Sequence, residues 1–301
     1  MAQPPTISDM FQPALTMNTV LACVHAQGHP SAVCDGATWA ARRLHAPLNF
    51  LQVIDEGEAH TGETRFSDLT GYDTGPTRTQ ALDAMPGSHI IGGQSHSQQL
   101  LEGVRARALH LGHTMVELSL RQGQLTDALL DLSEEIRLVV MGLHSHHLDA
   151  PWRQGDHHVE QALRTVQQPM LVVTRSHFTP PTAFALAYHG GPESLALVDA
   201  VAECELLQGM PCHLVHVGNR TADLQAEMTQ AAQRLADAGF STHLVVESGD
   251  VAQVMARHLT IQQLPLLVMS AFTHDGWRQK LLGTTTSTLL RRTPASVLVL
   301  R

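Results

Sequence analysis

The second half of this 301-residue chain replays the first, element by element, with one long segment left out. An apolar run, TVLACV at Thr19–Val24, is matched by AFALAY at Ala183–Tyr188. Each run leads through a glycine-containing turn into an amphipathic stretch, with Ser31 and Ser194 near the two starts as expected caps. A second strand follows as LNFLQVID in one half and CHLVHVG in the other. The helix after it is clearest as ADLQAEMTQAAQRLADAG, which should stop at Gly239. Strand, glycine turn, helix and strand then recur in VELSLRQGQLTDALLDLSEEIRLVVMG and THLVVESGDVAQVMARHLTIQQLPLLVMS. A last helix and strand close each half, around Pro169 and Pro294.

Five short, continuously apolar strands alternating with helices require crossovers, and so predict parallel sheets covered on both faces. The fold class is α/β: two tandem, doubly wound, parallel five-stranded sheets with helices on both sides. The Pro pair in SHFTPPTA continues neither a helix nor a central strand, which sets domains at 1–178 and 179–301. The first half alone carries a polar stretch at about 56–98, rich in Gly, Thr, Ser and His, read as a lid, a binding loop or disorder.

A formal charge of -9, with no basic run longer than two residues, argues against a nucleic-acid partner. Neither a secretory leader pattern nor eighteen consecutive apolar residues occurs, so a cytoplasmic protein without a membrane span is expected. Cys23, Cys34, Cys204 and Cys212 sit in apolar patterns without CxxC spacing, as buried thiols of a reducing compartment do.

In a doubly wound sheet a ligand lies beyond the carboxyl ends of the strands, where strand order reverses. If the first and fourth strands of each half flank that point, His25 faces Gly142 and His189 faces Ser270. The segments after the fourth strands, VVMGLHSHHLDAPWRQGDHH and LVMSAFTHDGWRQKLLGTTTSTLL, resemble the phosphate loop of the universal stress protein family. That pattern is Gly, two residues, Gly, nine residues, Gly, then Ser or Thr. Its spacing places Gly142, Ser145, Gly155 and Asp156 in the first copy, and Ser270, Thr273, Gly283 and Thr284, followed by Thr285, in the second. The resemblance covers nearly the whole chain apart from its first residues and the 56–98 stretch.

Such a loop works because glycines let backbone N–H groups approach phosphate oxygens at a helix start. The second copy keeps Gly283 and its hydroxyls and adds Arg278 and Lys280. The first puts the carboxylate of Asp156 where a hydroxyl belongs. The resemblance implies a base pocket behind the first strand, with Val53 and Val217 against the nucleoside. Where relatives that bind ATP carry Asp, this chain has His25 and His189.

The implied function is a non-catalytic regulatory protein of the stress response, binding ATP, ADP or AMP in its second half. A nucleotide-free interaction module remains the alternative, with the last strands LVVT and VLVL joining the halves as an internal pseudo-dimer; a homodimer and an unknown protein partner remain open. No Ser-His-Asp order, paired catalytic carboxylates or GxxxxGK[ST] loop is found, so no catalytic residue is assigned. Twenty histidines are unusual, and His144, His146, His147, His157 and His158 cluster in the first loop, although no fixed period puts three of them on one face. A surface rich in histidine is the preferred reading there, and a metal site the lesser one.

Overall fold

The computed structural model describes residues 19–26, 28–54, 88–143, 157–270 and 284–301. In the first half they form β1 (Thr19–Cys23), α1 (Pro30–Arg43), β2 (Leu48–Ile54), α2 (Ser88–His110), β3 (Val116–Gln122), α3 (Leu125–Asp131), β4 (Ile136–Gly142), α4 (His157–Thr165) and β5 (Met170–Val173). The second half follows with β6 (Phe184–Tyr188), α5 (Gly191–Glu203), a 3-10 turn (Glu205–Leu207), β7 (Cys212–Val217), α6 (Ala222–Asp237), β8 (Thr242–Glu247), α7 (Val251–Ile261), β9 (Leu266–Ser270), α8 (Thr284–Arg292) and β10 (Ser296–Leu300).

The two five-stranded sets merge into a single ten-stranded sheet, in the order β3-β2-β1-β4-β5-β10-β9-β6-β7-β8. Pairing is parallel within each half and antiparallel only at the centre, where β5 meets β10 through Val172 opposite Val297, Leu171 opposite Leu298 and Met170 opposite Val299. All six side chains are buried, so this seam is as apolar as the interior of either half. The repeat extends to register: Leu21 pairs with Val139 as Ala185 pairs with Leu267, and Ala22 with Val140 as Leu186 with Val268.

Each face of the sheet carries one apolar layer that runs through both halves. Phe50, Leu171, Phe184 and Leu298 lie in one layer, and Leu163, Val172, Leu267 and Val297 in the other. Polar ties cross the seam as well. Thr174 Oγ1 donates to the Ala295 carbonyl at 2.9 Å, Arg43 Nε donates to the Leu206 carbonyl at 2.8 Å, and Arg137 meets Glu205 at 2.8 Å. Within each half the first two helices are pinned by an Asp–Arg pair, Asp35 with Arg107 at 2.6 Å and Asp199 with Arg234 at 2.7 Å.

Local signals explain most boundaries. Thr221 caps α6 by accepting from Leu224 N–H, and Asp250 caps α7 by accepting from Gln253 N–H. Gly239 adopts φ 88 just past α6, a left-handed stop that glycine takes at little cost. The two expected serine caps are not caps. α1 and α5 start behind His29 and Gly190 without a side-chain cap, Pro30 opens α1, and Ser194 lies inside the first turn of α5.

The stretch expected to be irregular as far as residue 98 is also corrected, because 88–98 belong to α2. Leu100, Leu101, Val104 and Ala108 form the buried stripe of that helix. Helix propagates cheaply backwards from an anchored stripe, even through Ser, His, Gly and Gln. Cys23, Cys34 and Cys212 are buried free thiols and Cys204 is half-buried, as their apolar settings predict. Among the described residues no helix is long and apolar enough to cross a membrane.

Candidate functional site

Both crevices lie where strand order reverses, between β1 and β4 in one half and between β6 and β9 in the other. In the first, the chain leaving β1 turns tightly, with Gly28 N–H donating to the His25 carbonyl at 3.0 Å. That turn folds onto the end of β4: a Cβ built on Gly142 would stand 1.9 Å from the Gly28 carbonyl oxygen and 2.9 Å from a methyl of Val33. Position 142 therefore accepts only glycine without a backbone shift.

The first crevice holds a partly open pocket of about 60 Å³, lined among others by Cys23, His25, Val53, Met141, Gly142 and His158. Ligand sites usually enclose ~300 Å³ or more, whereas a volume of this size suits a few waters. Burial pushes the Cys23 thiol up to about 12, which leaves it neutral and unreactive near neutral pH.

The second crevice is built differently. Its turn is shorter, because α5 starts at Gly191, and both Gly190 and Gly191 hold left-handed φ values of 90 and 77. A Cβ on Gly191 would meet nothing within 4 Å, whereas one on Gly190 would lie 3.4 Å from Glu227 Oε2. Ser270, at the register position of Gly142, carries a side chain.

His189 is held from below. Its backbone N–H donates to the buried Ser194 hydroxyl at 3.2 Å, and its Nδ1 lies 2.8 Å from the same oxygen. Glu193 sits 3.6 Å from Nε2, and its charge favours the proton on that nitrogen, leaving Nδ1 to accept from Ser194. Gly191 N–H donates to Glu227 Oε2 of α6 at 3.1 Å, which places a second carboxylate at the crevice mouth. His216 Nδ1–H donates to the Tyr188 carbonyl at 3.1 Å, and its ring covers Gly218 beside Val217.

The structure thus brings His25, Val53, Gly142 and His158 to one crevice, and His189 to the end of the strand beside Ser270 in the other. Thr273, Gly283, Ser145, Gly155, His144, His146 and His147 lie outside the described residues, as do the side chains of Thr284, Thr285 and His157. Among the described residues no three His, Cys, Asp or Glu side chains are arranged to hold a metal ion. Sequence reasoning missed Ser194, Glu193 and Glu227 as site residues. The Gly190–Gly191 pair was the available signal, since two adjacent glycines before a helix start permit a turn that other residues resist.

Residues 184–301 match the family model described as the Universal stress protein family. The Synechocystis sp. protein named Universal stress protein Slr1230 is 24% identical over 290 residues, covering 95% of this chain and all of its own length. The chain is therefore similar to universal stress proteins, by the family model in its second half and by the Synechocystis relative over nearly its whole length. Among solved structures, a universal stress protein from Archaeoglobus fulgidus aligns over 95% of this chain and 98% of its own, with a TM-score of 0.69 at 15% identity. A putative universal stress protein from Pseudomonas aeruginosa aligns over 94% and 93%, with a TM-score of 0.58 at 14% identity. At such low identity these two likenesses carry the α/β fold of the universal stress protein and nothing finer.

Proposed function

We propose that this chain is a regulatory universal stress protein of two domains, 1–178 and 179–301, in which the second domain binds an adenine nucleotide and the first does not. The observation that carries this reading is the contrast between the two strand-end turns. The Gly28 carbonyl packs on Gly142 beside a pocket of about 60 Å³ in the first crevice, while a Cβ on Gly191 in the second would meet no atom within 4 Å.

The second crevice has the chemistry for a nucleoside end. His189 Nε2–H offers a donor to a ring nitrogen of the base, and Glu193 and Glu227 are acceptors suited to ribose hydroxyls. The phosphates would extend toward the start of α8 at Thr284, where free backbone N–H groups and the helix dipole favour an anion. Carboxylates at the nucleoside end and a helix start at the other give the ligand one direction. For the first domain the close packing of the Gly28 carbonyl on Gly142 supports the other reading, a domain that works through protein contacts.

Calorimetric titration with ATP, ADP and AMP tests the proposal. Wild type should bind at least one of them with one equivalent per chain. His189→Ala should weaken binding about tenfold, the loss of one hydrogen bond, and Gly283→Asp should abolish it. Binding of none of the three, or binding that both variants leave intact, would sink the reading.

A further inference from the structure

Away from both crevices, at the β8 edge of the sheet, three imidazoles and a carboxylate stand in a row. His213 of β7 and His243 of β8 are direct register partners, so their side chains leave the same face of neighbouring parallel strands. Their ring centroids are 5.0 Å apart. His258 of α7 packs over that face, 94% buried by its exposure of 6%, and its Nε2 lies 3.2 Å from His213 Nδ1. On its other side His258 Nδ1 faces Glu247 Oε1 at 3.9 Å, and Arg257 pairs with the same carboxylate.

The proton positions follow from the row. The Glu247 charge favours a proton on His258 Nδ1, so His258 Nε2 is the acceptor and His213 Nδ1 carries the proton between them. His213 Nε2 is then a lone pair, held in orientation from behind. A histidine whose second nitrogen is fixed by a hydrogen bond, backed in turn by a carboxylate, is how proteins prepare an imidazole for a metal ion. Two imidazoles sharing an ion at ~2.1 Å hold their ring centroids about 5 Å apart, which is the His213–His243 spacing.

We propose that His213 and His243 form a two-ligand site for a divalent transition ion of the zinc, copper or nickel type, with His258 and Glu247 as positioning residues. Two protein ligands leave the remaining coordination positions to water, so the site is open and exchangeable rather than structural. His243 is solvent-exposed and can turn its ring onto the ion without disturbing the core. Burial and the neighbouring rings also push the His213 imidazole below its ordinary value of 6.5, and burial does the same for His258, which favours the neutral, ligating form at neutral pH.

The test is Zn²⁺ binding by the full chain, counted by equilibrium dialysis with elemental analysis and followed by calorimetry. Wild type should take up one more equivalent at micromolar affinity than either His213→Asn or His243→Asn. Glu247→Gln should keep that equivalent but weaken it about tenfold, the usual effect of removing an orienting carboxylate. Replacing His144, His146 and His147 by Asn should leave it in place, which separates this site from the histidine-rich loop. Because His243 is exposed, its substitution should not affect folding, and circular dichroism of the metal-free variants checks this. An unchanged equivalent in His243→Asn, at unchanged affinity, overturns the proposal; so does a wild-type chain whose uptake is abolished by the loop substitutions alone.

Discussion

Replacing Leu298 by Asp should leave the protein unable to fold, or weaken it by more than ~4 kcal/mol. Leu298 is fully buried and stands opposite Leu171 at the antiparallel joint between β5 and β10, the only place where the two halves share backbone pairing among the described strands. The substitution removes a side chain whose burial contributes roughly 2 kcal/mol, and it puts a carboxylate where neither solvent nor a cation reaches. The neighbours at the joint, Leu171, Val297 and Val299, offer no donor. Leu298→Val tests the same position without the charge and should cost about 1 kcal/mol. Urea unfolding followed by far-ultraviolet circular dichroism measures both. If Leu298→Asp loses less than about 1 kcal/mol, the joint is not a tight apolar contact.

The repeat made that joint foreseeable only in part. Alternating apolar strands and amphipathic helices were legible because a strand buried on both faces must be apolar throughout. TVLACV, LVVMG and SVLVL could be placed without any partner in view. Which strand meets which across the halves depends on contacts more than a hundred residues apart in the chain, and local pattern says nothing of them. Family resemblance suggested the last strands, but only the pairing of Leu171 with Leu298 turns two sheets into one. The 88–98 error has a similar origin: Ser88–Gln98 has weak propensity, and its helix is carried by Leu100, Leu101, Val104 and Ala108 downstream.

At the candidate site, His25, Gly142, His189 and Ser270 were found because strand ends at a reversal of strand order are fixed by topology. Ser194, Glu193 and Glu227 were not. Ser194 read as a helix cap because serine near a helix start usually is one, yet its hydroxyl serves His189 five residues earlier. Glu227 reaches Gly191 from the next helix, a contact with no local signature. The row from Glu247 to His243 was equally hidden, since it joins two strands and a helix whose histidines fall on no common period.

Gly142→Ala should cost about 2–3 kcal/mol although it adds a single methyl group, and this separates the two crevices more sharply than any ligand experiment. The added carbon would lie 1.9 Å from the Gly28 carbonyl oxygen, far inside contact distance, and 2.9 Å from a methyl of Val33. Val33 can turn away, but a backbone carbonyl in a turn closed by its own hydrogen bond to His25 cannot, so the turn must lift off β4. Gly191→Ala in the second half meets no atom and should lose only ~1 kcal/mol, the cost of a left-handed φ for a residue with a Cβ. The pair is measured by thermal unfolding, with equal losses as the result that contradicts the difference in packing between positions 142 and 191. Lifting the first turn would also enlarge the 60 Å³ cavity. On the proposed reading, a Gly142→Ala chain that folds and gains a nucleotide equivalent over wild type would assign the exclusion of nucleotide from the first crevice to the Gly28 carbonyl and not to His25.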